Sequence, residues 1–138
     1  MDKLVHFEIP VDDLERARSF YGSIFGWKLE DWPMPDGSTY IGVHTVPIDE
    51  KTRLPLEPGA INGAIMKRTK VAKAPIFAIN VPSIDVRVKQ IEAAGGKVVM
   101  PKMDMMGMGF YAYVTDPDGN VIGLWEDLPA GKPGTKKA

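Results

Sequence analysis

The sequence contains no cysteine, and that absence removes several kinds of chemistry at once. A chain without cysteine has no disulfide framework, no thiolate nucleophile and no cysteine-ligated zinc or iron–sulfur site. The sequence also lacks GxSxG, P-loop, HExxH and paired-carboxylate patterns. Any catalysis must therefore depend on other side chains in another arrangement.

An excess of charge of one sign is also missing. Lysine and arginine number 17 against 18 acidic residues, for a formal net charge of −1. Phosphate recognition needs a basic face, so we expect no nucleic-acid partner. The N-terminal segment has neither a basic start nor a long apolar run, so we expect no membrane association and a cytoplasmic location.

What is present is the composition of an ordinary folded domain. The chain has 138 residues, of which 44% are hydrophobic and 25% charged. That length suits one domain with its own core and is too short for two independent enzymatic domains. We expect a single domain over residues 1–128. Residues 129–138, PAGKPGTKKA, contain three lysines and no apolar periodicity, which predicts a disordered tail.

The chain repeats itself at an offset of 70 residues. Residues 6–28 match residues 76–98 without a gap, so that Phe7 falls on Phe77 and Gly26 on Gly96. A repeat of this kind indicates one supersecondary unit used twice. The sequence therefore predicts two modules, at about 4–68 and 74–127.

Each copy begins with the pattern of a strand followed by a helix. Apolar residues alternate at 5, 7, 9 and 11 and again at 77, 79 and 81, which is the period of a half-buried strand. Asp12–Asp13 and Ser83 then stand at candidate helix N-caps. The glycines at 26 and at 95–96 are typical of helix C-termini.

Three further strands follow each helix, at 27–32, 39–46 and 60–66 in the first copy and at 97–100, 109–115 and 121–125 in the second. Asp36–Gly37 and Asp116–Gly119 supply turn residues between them. The predicted class is therefore α+β, with two βαβββ modules. We expect them to form a curved, mostly antiparallel sheet around a concave pocket, with the helices outside.

Three segments carry a resemblance to a known family: VHFEIPVDDLERARSFYGSIFGW, IFAINVPSIDVRVKQIEAAGGKV and YVTDPDGNVIGLWE. With them the chain resembles the vicinal oxygen chelate superfamily, which holds glyoxalase I, extradiol dioxygenases, and fosfomycin- and bleomycin-resistance proteins. The resemblance covers residues 3–127. It implies a small-molecule pocket on the concave face and does not by itself imply an activity.

The family's metal ligands are depleted in this chain. The resemblance places four ligands on the concave face, and His6 is the one that survives. Ile76, Gly123 and, by aligning INGAI with VIGLW, Gly63 occupy the other three positions, and none has a donor side chain. We expect no metal and no cofactor, unless Glu8 or Glu126 substitutes through a register shift.

His6 and Glu8 are the candidate catalytic residues. They are two residues apart on a predicted strand, so they share a face. A carboxylate beside an imidazole raises its basicity, as a proton-transferring site requires. The alternatives are a histidine with a purely structural part and a glutamate solvated at a rim.

Four further residues are candidates for ligand binding: Asn80, Tyr111, Tyr113 and Trp125. Tyr111 and Tyr113 share one face of their strand, where phenols can orient a carbonyl or carboxylate, and Trp125 can supply a stacking wall. The alternative is ordinary packing. The segment 100–109 holds five of the eight methionines and is interpreted as a loop, either over a ligand, against another subunit, or partly disordered.

The expected function is binding of a small, partly apolar organic molecule without metal. If the protein is an enzyme, a question that the sequence leaves open, lyase or isomerase chemistry of the glyoxalase type is expected, as a proton transfer or isomerisation next to a carbonyl. The alternatives are a non-catalytic resistance protein that sequesters its ligand, and a metal-dependent lyase or dioxygenase with substitute ligands. A homodimer is expected by family resemblance.

Overall fold

The computed structural model describes residues 1–129. Apart from Pro129, the tail predicted to be disordered lies outside the described residues. The chain divides into two compact units, one formed by His6–Pro75 and the other by Met1–Val5 together with the described residues from Ile76 onward. The two units correspond to the two copies of the repeat, and each is described by itself.

The first module has one helix and four strands. They are β1 (Lys3–Val11, of which the part from His6 belongs to this unit), α1 (Leu14–Phe25), β2 (Lys28–Pro33), β3 (Thr39–His44) and β4 (Gly63–Lys67). Helix α1 begins where the Asp13 carboxylate accepts a hydrogen bond from the Arg16 N–H at 3.0 Å. It ends at Gly26, whose φ of 71° lies in the left-handed region that favours glycine.

The strands of the first module pair in the order β2-β3-β4-β1. Strands β2, β3 and β4 are antiparallel, whereas β1 and β4 run parallel. The hydrophobic core lies between α1 and one face of these strands, around Ala17, Ile41, Val43 and Ile65. The opposite face of the strands, which points away from α1, is called the open face of the first module.

The second module repeats the same order. It contains β5 (Ile76–Asn80), α2 (Ile84–Ala93), β6 (Lys97–Asp104), β7 (Gly109–Thr115) and β8 (Val121–Asp127), and its strands pair in the order β5-β8-β7-β6. Helix α2 packs on a core of Val81, Ile84, Ala112, Val114 and Leu124. The face of this sheet that points away from α2 is the open face of the second module.

The methionine-rich segment differs from the prediction. Strand β6 extends to Asp104, so the first half of the expected loop is a strand, with Met100 opposite Tyr113 and Met103 opposite Tyr111. The register with β7 shifts twice along the way, which is a bulged edge strand. Such irregular pairing has no clean alternation of apolar residues, so periodicity in the sequence did not reveal it.

Two βαβββ modules with both parallel and antiparallel pairings confirm the predicted α+β class and the repeated order. No helix within residues 1–129 is long and apolar enough to cross a membrane. A single domain and a concave pocket remain predictions.

Candidate functional site

His6 and Glu8 lie on the open face of the first module. Phe7 and Ile9, which alternate with them along β1, pack against the core under α1. Since successive side chains of a strand point to opposite faces, His6 and Glu8 point away from that core. The shared face expected from their spacing is therefore present.

Glu8 is the one charged side chain among the described residues that is buried, at 2% exposure. Burying a carboxylate costs several kcal/mol unless other groups compensate for the lost water. His6 is half-buried, and burial lowers the pKa of its imidazole from 6.5 to about 4. At neutral pH His6 is therefore uncharged. This shift is opposite to the raised basicity expected from the neighbouring Glu8, and its one cause is the loss of water around the imidazole.

The strand register corrects one position in the expected ligand set. Glu8 pairs with Ala64 on β4, and its counterpart in the repeat, Ala78, pairs with Gly123 on β8. Ala64, rather than Gly63, is therefore the first-module counterpart of Gly123. Gly63 pairs with Phe7 and packs beneath its ring on the side of the core. Alanine offers no donor either, so the position is still without a ligand.

The space above Gly123 is occupied by a tyrosine. A Cβ placed on Gly123 would collide with the Tyr111 hydroxyl and lie 2.7 Å from the ring atom Cζ. Tyr111 stands diagonally across from Gly123, because it pairs with Trp125 two residues further along β8. A glutamate in place of Gly123 would therefore clash with Tyr111.

The same diagonal arrangement recurs twice on the open faces. A Cβ on Gly42 would meet the ring of Trp32, and one on Gly109 would meet the ring of Trp125. In each pair an aromatic side chain covers a glycine on the neighbouring strand, as known for glycines in strand interiors. Glycine at these positions therefore has a packing reason of its own.

The four predicted ligand-binding residues lie together in the second module. The rings of Tyr111 and Tyr113 meet edge to face at 5.2 Å, and the Trp125 ring is 6.2 Å from Tyr111. Asn80 donates to the Trp125 carbonyl at 3.1 Å and to Asp127 at 3.2 Å, and the Trp125 indole N–H donates to Asp127 at 2.9 Å. Asp127 was not among the predicted residues.

These side chains do not fit the family's metal site. Among residues 1–129 no group of three or more His, Cys, Asp or Glu side chains is arranged to hold a metal ion. Glu126, one of the two candidate substitutes, instead accepts the Ile84 N–H at 2.7 Å at the start of α2. With Tyr111 filling the space above Gly123, alanine at 64 and isoleucine at 76, His6 is the one donor at the four expected ligand positions.

Sequence reasoning missed three residues of the first module's open face. Asn62 accepts the Thr45 N–H, His44 Nε2 lies 3.2 Å from a Glu30 carboxylate oxygen, and the Trp32 ring covers Gly42. His44 alternates with Tyr40 and Gly42 along β3, and that spacing was the one available signal.

The family assignment follows from the pattern of βαβββ modules and the matched residues. The family profile of the Glyoxalase/Bleomycin resistance protein/Dioxygenase superfamily matches residues 3–124. The chain belongs to this superfamily. The resemblance found in the sequence is thereby confirmed for nearly the whole of the described chain.

Two relatives of this superfamily member come from Mycobacterium and Streptomyces. It is 31% identical over 122 residues to the protein named "Putative glyoxylase CFP32" of Mycobacterium tuberculosis (strain CDC 1551 / Oshkosh), a match that covers 86% of this chain and 43% of the relative. It is 29% identical over 129 residues to the anthracycline biosynthesis protein DauV of Streptomyces sp. (strain C5), with 86% and 45% covered. The chain thus spans about half the length of the curated relatives it matches.

Solved structures share the fold at low identity. Methylmalonyl-CoA epimerase from Mycobacterium tuberculosis has a TM-score of 0.61 and 20% identity, with 91% of this chain and 88% of the epimerase covered. Protein BH1468 from Bacillus halodurans C-125 has a TM-score of 0.66 and 16% identity, with 95% and 98% covered. These similarities show the fold alone.

Proposed function

We propose that this glyoxalase superfamily member binds a small, partly apolar carbonyl compound and catalyses proton transfer at the carbon next to the carbonyl, without a metal. The observation that carries the proposal is the buried Glu8 carboxylate on the same open face as the neutral His6. A buried charge costs free energy of folding, and such costs concentrate at functional sites.

In the proposed reaction His6 removes the proton from the carbon, and the electron pair of the C–H bond moves into the carbonyl to give an enolate. Glu8, on the same face of β1, orients the imidazole. Return of the proton to the opposite side of the same carbon gives epimerisation, and return to another atom gives isomerisation. One structural neighbour is named an epimerase, which belongs to the same reaction class.

Ligand contact by Tyr111, Tyr113, Trp125 and Asn80 is part of the proposal. It is supported by the edge-to-face phenols and by the fixed position of the Trp125 indole on Asp127. Aromatic faces suit the apolar part of a ligand. The cytoplasmic location also belongs to the proposal.

The test is incorporation of solvent deuterium into a panel of ketones and acyl thioesters, followed by mass spectrometry, with chelator-treated protein. Wild type should exchange the proton next to the carbonyl, and His6→Gln should slow exchange by roughly 100-fold, the usual contribution of a positioned acid or base. Glu8→Gln should also slow exchange, because the imidazole loses the carboxylate that orients it. Glu15→Gln, on an exposed side chain of α1, is the matched control and should exchange at the wild-type rate.

Two results would contradict the proposal. Exchange in His6→Gln at the wild-type rate would remove His6 as the base. Tight binding of a panel member without exchange or product would establish instead the sequestering, non-catalytic class of protein.

A further inference from the structure

The open face of the first module holds a row of four side chains across its strands. Phe7 on β1 and Val43 on β3 both pair with Gly63 on β4. Asn62 directly precedes Gly63, so the parallel and antiparallel registers place it between His6 and His44. Lys28 pairs with His44 and completes the row. An amide therefore stands between the only two histidines of the chain.

The orientation of the Asn62 amide is fixed by Thr45. Its oxygen Oδ1 accepts the Thr45 backbone N–H at 2.8 Å and lies 3.1 Å from the Thr45 hydroxyl, whose one proton is also within reach of the Ile61 carbonyl at 3.0 Å. A backbone N–H can only donate, so the atom facing it must be the oxygen and not the nitrogen. Nδ2 and its two hydrogens consequently point elsewhere.

That nitrogen is buried and has no acceptor among residues 1–129. The Trp32 indole nitrogen is also buried and has no acceptor among the described residues. Its ring covers Gly42 on the same open face. A buried donor without an acceptor costs about 1–3 kcal/mol, so such groups call for a partner. Two of them on one face favour a ligand that brings hydrogen-bond acceptors.

The charges nearby define what kind of acceptor fits. The adjacent row on the same open face has a carboxyl group at each end. Its members, which pair with one another across the strands, are Glu8, Ala64, Gly42 and Glu30. Two carboxyl groups that share a site with little water cannot both be ionised, so a carboxylate ligand beside the buried Glu8 is disfavoured. A neutral oxygen that gains only partial negative charge avoids that repulsion.

We infer that Asn62 binds the carbonyl oxygen of an uncharged ketone or acyl compound and donates to the negative charge that develops on it. Fixed N–H donors aimed at a developing oxyanion stabilise it without reorganisation. His6, the next residue in the row, is then placed at the side of the bound carbonyl. This inference deepens the proposed function, on which it rests for the position of the base.

The test uses ¹⁵N-labelled protein and three probes of similar shape: acetophenone, ethylbenzene and benzoate. Acetophenone should shift both side-chain amide proton signals of Asn62 downfield, whereas ethylbenzene should not. Asn62→Asp is the matched variant, because a carboxylate still accepts the Thr45 N–H, lacks the two donors of the amide and adds one negative charge. It should weaken acetophenone binding roughly tenfold and leave ethylbenzene binding unchanged.

Three outcomes would overturn the inference: no response of the Asn62 signals to acetophenone, equal responses to acetophenone and ethylbenzene, or tighter binding of benzoate than of acetophenone. The wild-type signals decide this even if Asn62→Asp fails to fold. The deuterium experiment separates the two proposals. If wild type and Asn62→Asp exchange at equal rates, Asn62 does not act on the carbonyl, and His6 can still be the base. If the Asn62 signals respond but no exchange occurs, Asn62 binds the carbonyl and the proposed base is wrong.

Discussion

At the scale of single residues, the chemistry that the family resemblance leads one to expect has been replaced by packing. Gly123 has no donor, and the Tyr111 hydroxyl fills the space where a side chain would begin. Glu8 and His6 remain as buried polar groups on β1. The sequence predicted the missing donors, but only the three-dimensional structure supplies the reason for the glycine.

The contact between Gly123 and Tyr111 can be tested by a double-mutant cycle. Gly123→Ala should lower the free energy of unfolding by about 1–3 kcal/mol, because its Cβ clashes with the phenol. In a Tyr111→Phe background the same substitution should cost less, since the hydroxyl is the nearest atom. Urea unfolding of the four proteins measures the coupling, and strictly additive costs would contradict the contact.

His6 makes the stability of the protein depend on pH. Its pKa is about 4 in the folded chain, against an ordinary histidine value of 6.5, so the unfolded chain binds the proton first as pH falls. The stability held by neutral His6 is complete above pH 6.5 and is lost as pH falls towards 4.

Between pH 7.5 and 4.5 wild type should therefore lose about 2 kcal/mol more than His6→Gln, as measured by urea unfolding at both values. Glu8 is present in both proteins, so its own titration cancels in the comparison. Equal losses in the two proteins would show that burial does not hold His6 neutral.

At the scale of elements, the helices and most strands were predictable and the strand register was not. Alternating apolar residues, the caps at Asp13 and Ser83 and the left-handed Gly26 are all local signals. Pairing between β3 and β4 is not local, because residues 45–62 intervene. A slip of one residue turns every side chain to the other face, and the sequence alignment made that slip when it placed Gly63 where Ala64 stands.

Helix α2 has two N-terminal contacts that differ in origin. Ser83 Oγ accepts the Val86 N–H at 3.2 Å from the N-cap position directly before the helix, whereas the Glu126 carboxylate of β8 accepts the Ile84 N–H at 2.7 Å. Neutral caps contribute about 1 kcal/mol, and charged acceptors at a helix N-terminus contribute more.

Glu126→Leu should thus lower the free energy of unfolding by about 2 kcal/mol, against about 1 kcal/mol for Ser83→Ala. Glu92→Leu, on an exposed position near the end of α2, is the control and should change it by less than about 0.5 kcal/mol. Thermal unfolding by circular dichroism measures all three. A smaller loss for Glu126→Leu than for Ser83→Ala would show that β8 does not cap the helix.

At the scale of the whole molecule, the repeat in the sequence is matched by the repeat of βαβββ modules, while the side chains of the two open faces have diverged. The first carries His6, Glu8 and Asn62 beside the Trp32 ring, and the second carries the rings of Tyr111, Tyr113 and Trp125. The offset of 70 residues predicted the matching elements but could not show this division, which depends on side chains brought together by register.

Self-association is the prediction at this scale. Phe20, Ile24 and Phe25 on α1 are more than half exposed, at 51%, 63% and 55%, and apolar side chains grouped in this way favour association. Light scattering at about 50 µM should give about twice the chain mass of 15.2 kDa. Ile24→Lys should lower that mass and the control Glu15→Lys should not. A monomer throughout would contradict the expected homodimer.

The covered glycine also constrains how this protein can change over evolutionary time. A carboxylate at position 123 is useless to a metal, and harmful to folding, as long as Tyr111 lies above it. A smaller residue at 111 by itself leaves an uncovered glycine in a strand. Each of the two substitutions is unfavourable alone, so a carboxylate at this position requires both changes together.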